Sequence, residues 1–161
     1  MAELINTAEL SQQLSELTAI NLRPVLAEIG QILLTSIEDN IEEGGRYSAG
    51  EGAAGTPAAW SGGTQHFAPL AASTLKNKKR RGRDGGKILQ DSGRLMAAMD
   101  VSISDSSVEV TNNLVYFPHV TLGTKPDSVP HLPARPILVI QKEDIEEISI
   151  TISEFIQQEL G

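Results

Sequence analysis

From Asn21 to Glu43 the apolar residues Leu22, Val25, Leu26, Ile29, Ile32, Leu33, Ile37 and Ile41 recur at steps of three and four. That is the period of one helix face, and a helix of this span is about 30 Å long. Its apolar stripe must be covered by other elements, so it sets the axis around which the rest of the chain packs. Asn21 can accept a backbone N–H as N-cap, Pro24 is tolerated in the first turn, and Gly44-Gly45 stop the helix. A shorter pattern precedes it from Ala8 to Leu17, with Leu10, Leu14 and Leu17 on one face and Thr7 as cap. Residues 1–43 are therefore expected to form a helical hairpin or a bent helix pair. A further helix is predicted from Glu143 to Leu160, placing Ile145, Ile148, Ile152, Phe155, Ile156 and Leu160 along one side. Glu143, Asp144, Glu146 and Glu147 crowd its first two turns, where the helix dipole favours acids.

The covering elements must come from between these helices. Val101-Ser102-Ile103-Ser104 and Val108-Glu109-Val110-Thr111 alternate around the polar turn Asp105-Ser106-Ser107, which is a β-hairpin signature. Pro133-Ala134-Arg135-Pro136 must be extended, because each proline disfavours the helical region for the residue before it. Ile137-Leu138-Val139-Ile140 then reads as a buried strand. Short helices are predicted from Leu70 to Lys79, begun by Pro69, and from Gly93 to Met99, capped by Asp91 or Ser92. Val115 to Leu122 reads as either a short helix or a strand ending. With 161 residues the chain has the size of one domain, and only six aromatics mean a core filled mainly by aliphatic side chains. The expectation is a single α+β domain over 1–161, with N-terminal helices, a small antiparallel sheet and a C-terminal helix.

Two stretches fall outside any periodic pattern. Residues 44–68 hold seven of the 14 glycines up to Gly63 and offer no continuous buried face, so a long mobile loop is expected. Its Trp60 is read as an anchor that packs the loop onto the body rather than as a ligand platform. Residues 76–87 are charged and glycine-bearing and are expected as an exposed, flexible basic arm, followed by 88–161 carrying the hairpin, the extended segment and the last helix.

Charge is unevenly distributed. The net −8 divides into −7 over residues 1–51, +6 over 76–94, −5 over 142–161 and −2 elsewhere. An acidic chain with one basic segment excludes a general nucleic-acid coat. The basic segment itself has three readings: a solvated loop, a dock for an acidic protein surface, and a nucleic-acid contact through Lys76 to Arg94. The acidic flanks disfavour DNA. Zero cysteines exclude disulfides and thiolate chemistry, and no stretch approaches the ~18 apolar residues of a membrane span. A soluble, unprocessed chain without membrane contact is expected.

Chemistry finds no foothold. No glycine pattern sits between a strand and a helix as a phosphate loop, dinucleotide fingerprint or nucleophile elbow requires. His66 and His119 have no acid or histidine three or four residues away and His131 has only Asp127, so no metal, cofactor or catalytic residue is assigned, and His119 is expected as a partly buried packing residue. A hydrolase has no residues to support it.

Trp60, then Phe67 to Lys76 (FAPLAASTLK), then Ile88 to Leu95 (ILQDSGRL) resemble the track of phage virion morphogenesis proteins. Val115-Tyr116-Phe117-Pro118-His119 with Gly123, and Leu132-Pro133-Ala134-Arg135-Pro136-Ile137-Leu138, resemble two further elements of the same family in the same order. The resemblance covers about residues 20–160; Phe117-Pro118 replaces small residues, and Ile137 stands where Phe is common. It implies that Leu89, Gly93, Arg94, Leu95, Tyr116, His119, Gly123, Pro133, Arg135 and Pro136 are structural motif positions. It also implies a non-enzymatic tail completion or head–tail joining protein of a tailed phage or prophage, assembled in the bacterial host cytoplasm into the tail or neck of the virion. The expected partners are further copies in a ring, the tail tube or its terminator, and neck or connector proteins, with DNA secondary. Trp60, Lys76, Lys78, Lys79, Arg80, Arg81, Arg83 and Lys87 are the candidate assembly contacts, the basic arm of one copy lying against the acidic helices of the next. Arg135, held extended, is expected as a structural clamp or a direct partner contact.

Overall fold

A computed structural model of the chain describes residues 20–49, 60–83, 85–125, 127–129 and 131–160. The helix expected over 8–17 and its Thr7 cap lie outside the described residues, as does the middle of the glycine-rich stretch, 50–59. The elements are α1 (Arg23–Glu42), β1 (Tyr47–Ala49), β2 (Trp60–Gly62), α2 (Ala72–Arg80), α3 (Arg94–Ala97), β3 (Met99–Ile103), β4 (Val108–Asn112), α4 (Phe117–Leu122) and α5 (Lys142–Leu160). Helices packed with two small antiparallel sheets make the fold α+β, in agreement with the sequence.

Helix α1 has Leu22 rather than the expected Asn21 at its N-cap, with no side-chain cap bond, while its C-terminal stop is the expected one. The Asn21 side-chain carbonyl accepts the N–H of Arg23 at 3.1 Å, and Pro24 sits in the first turn. At the other end Gly44 takes φ +76°, the N–H of Gly45 donates to the carbonyl of Asn40 and that of Gly44 to Ile41. This is the left-handed helix stop for which glycine is suited, since it has no Cβ to clash. Along its length α1 packs on one face of the β3–β4 hairpin. The approach is close because Gly30 has no side chain: a Cβ there would lie 2.7 Å from Cγ1 of Val101.

The hairpin follows its alternation. Ile103 pairs with Val108 and Val101 with Val110, and the odd residues of β3 with the even residues of β4 form the less exposed face. Ser104 and Ser107 close the turn through reciprocal side-chain and backbone hydrogen bonds. Helix α5 also packs on α1, with the Ser36 hydroxyl donating to Asp144 at 2.5 Å. The same carboxylate accepts the N–H of Gln141 at 2.7 Å, a third-position acid reaching back over the start of its own helix. One cluster of Ile37, Ile41, Phe67, Leu95, Phe117 and Ile137 joins α1, α3, α4 and the segments at 67 and 137.

Three expectations are corrected. The stretch 44–68 is not irregular throughout: Tyr47 pairs with Gly62, Ser48 with Ser61 and Ala49 with Trp60, and Phe67 is buried with its ring stacked on Tyr47. Strands of three residues are too short to show alternation. Residues 137–140 are not a strand; Ile137 and Val139 are buried and Leu138 and Ile140 exposed, as in a strand, but among the described residues they join no strand ladder, and β2 meets them through the Gly62 N–H on the Ile140 carbonyl at 3.1 Å. The carbonyls of Pro136 and Ile137 are instead taken by the Asn40 side chain of α1, at 3.1 and 2.8 Å. Helix α3 starts from Gly93 in the left-handed conformation with no side-chain cap, rather than from Asp91 or Ser92. The ambiguous stretch 115–122 resolves as α4, with Pro118 in its first turn.

Asn40 is fully buried, and its Oδ1 also accepts the N–H of Arg46 at 2.6 Å, so one amide holds three backbone groups. Asn40→Ala is expected to lower stability by about 3 kcal/mol, the scale of leaving buried backbone groups without partners. Urea unfolding with an unchanged m-value would show it.

Candidate functional site

The basic segment is built on α2 and the turn that follows it. Helix α2 carries Lys78, Lys79 and Arg80 in its last turn, where cations face the negative end of the helix dipole. Lys78 turns inward: it is 8% exposed, and its ammonium donates to the carbonyls of Lys87 at 2.7 Å and Gln90 at 3.1 Å. A buried ammonium is costly unless its protons are taken up, and two carbonyls meet that need here. Arg83 pairs with Asp91 at 2.7 Å, and Lys87 stands 3.9 Å from Glu42 of α1. Lys78 and Arg83 are thus tied to residues 87–91, and the expectation of a free arm over 76–87 is corrected for its helical half. The signal missed was that Lys78, alone of these cations, lies on the side of α2 that faces the loop.

The remaining cations are differently placed. Lys76, Lys79, Arg80 and Arg81 are exposed and make no ion pair among the described residues. Lys76, Lys79 and Arg80 stand at i, i+3 and i+4, so they share one side of the helix with the 43%-exposed Leu75 beside them. Trp60 is half-buried in β2 opposite Ala49, within the strand pair rather than on a free loop.

The motif positions gather elsewhere, into a clasp. Gly123 has φ +74° and ψ −176°, and a Cβ there would lie 2.7 Å from the backbone N of Ala134 and 2.8 Å from the carbonyl O of Leu132. Only glycine fits both the conformation and the contact. Next to it Thr124 donates its N–H to the Leu132 carbonyl at 2.9 Å and accepts the Leu132 N–H on its hydroxyl at 2.8 Å. The N–H of Arg135 reaches the Val120 carbonyl of α4, Pro133 is half-buried and Pro136 buried. So the Tyr116–Gly123 and Pro133–Pro136 elements, separate in sequence, are one structural unit. Tyr116 precedes α4 and is largely exposed. His119 is exposed, which corrects the partly buried placement expected from its aromatic neighbours; the turn of α4 that buries Phe117 carries it outward. Among the other motif positions Leu89 takes φ +63° and is half-buried, Gly93 and Arg94 are exposed, and Leu95 enters the core.

Arg135 lies inside this clasp, 8% exposed, with one guanidinium nitrogen donating to the Ala68 carbonyl at 3.3 Å and its Nε without a partner among the described residues. Burial, which penalises the charged form, holds the guanidinium below its usual pKa. The contact with Ala68 links it to the connection between β2 and α2.

A polar hollow of about 490 Å³ lies where Arg46 meets Glu43 and Glu143, beside His66 and Gln141. Gln141 donates its side-chain amide to the Arg46 carbonyl, and the Arg46 guanidinium is already occupied by the two carboxylates. Among the described residues no three His, Cys, Asp or Glu side chains gather as metal ligands, and no helix is long and apolar enough to cross a membrane.

Residues 5–157 match the model of the phage virion morphogenesis family. Neither a curated protein nor a solved structure matches the chain.

Two outcomes follow for the chain itself. Lys78→Met is expected to free the 81–90 segment and raise trypsin cleavage within it about tenfold, while Lys79→Met leaves the rate unchanged; limited proteolysis under native conditions compares them. Arg135→Lys is expected to cost about 1–2 kcal/mol through the lost carbonyl contact and poorer filling of the clasp, seen as a lower thermal midpoint.

Proposed function

The chain belongs to the phage virion morphogenesis family, and on that footing we propose that it is a non-enzymatic part of the virion that completes the tail and joins it to the head. It does so as a ring of copies at the head-proximal end of the tail. Its partners are the tail tube or its terminator on one side and neck or connector proteins on the other.

The observation that carries this reading is the division of labour in the fold. Asn40, the Gly123 clasp and the Lys78 tie give a body with fixed backbone, while α2 and α5 leave charged and apolar side chains unpartnered on its outside. A virion joint needs that combination, because neighbours must meet a surface of defined shape. The candidate contacts that remain on the surface, Lys76, Lys79, Arg80, Arg81, Arg83 and Lys87, fit the reading. Lys78 is reassigned from contact to internal support.

The same cations allow a second reading, a nucleic-acid-binding accessory protein. Four unpaired cations would give a salt slope of about −3 to −4 in a log–log plot of DNA affinity.

The test is complementation in extracts. Lysates of a phage lacking this chain should contain filled heads and unjoined tails, and the purified protein should restore joined, infectious particles. Joined particles forming at the normal rate without it would refute the proposal. A gel shift at low salt decides the nucleic-acid reading.

A further inference from the structure

Helix α5 presents two apolar stripes. Asp144, Ile148, Thr151 and Phe155, spaced four, three and four apart, are its less exposed side and include the residue bonded to Ser36 of α1. One residue on, Ile145, Ile152 and Ile156 form a parallel stripe that is 56%, 39% and 39% exposed. A helix that needed only to cover α1 would carry polar residues there. Glu146 and Glu159 adjoin this stripe, and the helix as a whole carries six acids and one base.

Helix α2 is its complement. Leu75 is 43% exposed beside Lys76, Lys79 and Arg80, and residues 72–83 carry six bases and no acid. Both surfaces leave an apolar centre with charges beside it, of opposite sign. The N-terminal residues 1–19 are a poorer occupant of the α5 stripe, since they carry three acids and no base and would place like charges together.

We propose that α2 of one copy docks on the exposed stripe of α5 of a second copy, Leu75 meeting Ile152 and the cations of α2 meeting the acids of α5. The two patches differ and lie on separate elements, so the contact is heterologous: each copy offers one face to each of two neighbours, and repetition gives a ring or a filament. The inference rests on the ring reading above and specifies its interface.

Two charge-reversed proteins test it. Lys79→Glu/Arg80→Glu makes both faces acidic, and Glu146→Lys/Glu159→Lys places bases on both. Each alone is expected to self-associate at least tenfold more weakly than the unaltered chain by light scattering over a concentration range. An equimolar mixture is expected to recover association, because each variant then finds its opposite. Matching thermal melts confirm that both fold.

Cysteine cross-linking reads the contact directly, since the chain has no cysteine of its own. Leu75→Cys mixed with Ile152→Cys should give a disulfide dimer on mild oxidation, each alone should not, and the double variant should give a ladder. A mixture that fails to cross-link, while the unaltered chain still associates, overturns this interface and leaves the ring standing. Failure of both association and cross-linking overturns the two together. Unchanged self-association of the Lys79→Glu/Arg80→Glu protein with loss of DNA binding would assign the cations to nucleic acid instead.

Discussion

One buried side-chain amide determines how the two halves of this protein meet. Asn40 sits near the end of α1 on the side that carries Ile37 and Ile41 into the core, and its hydrogen bonds go to three backbone groups. A hydrocarbon there would leave two carbonyls and one N–H in an apolar interior without partners. The amide satisfies all three, and in doing so it fixes the extended segment after Pro136 against α1 and sets the path of the chain from α1 into β1. The strand that residues 137–140 do not form is replaced by this contact. Everything downstream is positioned from it, including the start of α5 three residues beyond Val139.

The same logic recurs at Lys78 and Arg135. In each case a polar side chain does the work that a strand or helix would otherwise do, holding irregular backbone in place by donating to its carbonyls. With few aromatics and no cysteine, the chain lacks the usual means of stapling long connections. Buried polar contacts to backbone carbonyls supply the staples instead. Outside this frame the charge blocks stand apart, α2 positive and α5 negative, with exposed leucine and isoleucines alongside.

What the sequence made legible was whatever repeats. Helices α1 and α5 announce themselves through steps of three and four, the β3–β4 hairpin through alternation about Asp105-Ser106-Ser107, and the end of α1 through Gly44-Gly45. The family resemblance was legible as five short elements in order. The pairing of β1 with β2 was not, because three residues on each side give no period and ten residues separate them. Nor was the inward turn of Lys78: a lysine among lysines looks solvated, and only the fold shows carbonyls waiting on one side. Asn40 could have been found, since a polar residue between Ile37 and Ile41 on the buried side of a helix needs a buried partner. Ile137 to Ile140 misled because an extended, alternately buried segment and a paired strand have the same sequence pattern.

The clasp at Gly123 has a consequence for what the chain can tolerate. Thr124 and Leu132 are joined by two hydrogen bonds, so the backbone leaves the body and returns to it at one point. Seven residues lie between these two positions in the chain. A change of length or composition in that segment is expected to leave α4, Arg135 and the core beneath in place, because both of its ends are held by the Thr124–Leu132 bonds. The fold thus separates a fixed hinge-post from a replaceable fitting, with a single glycine at the joint.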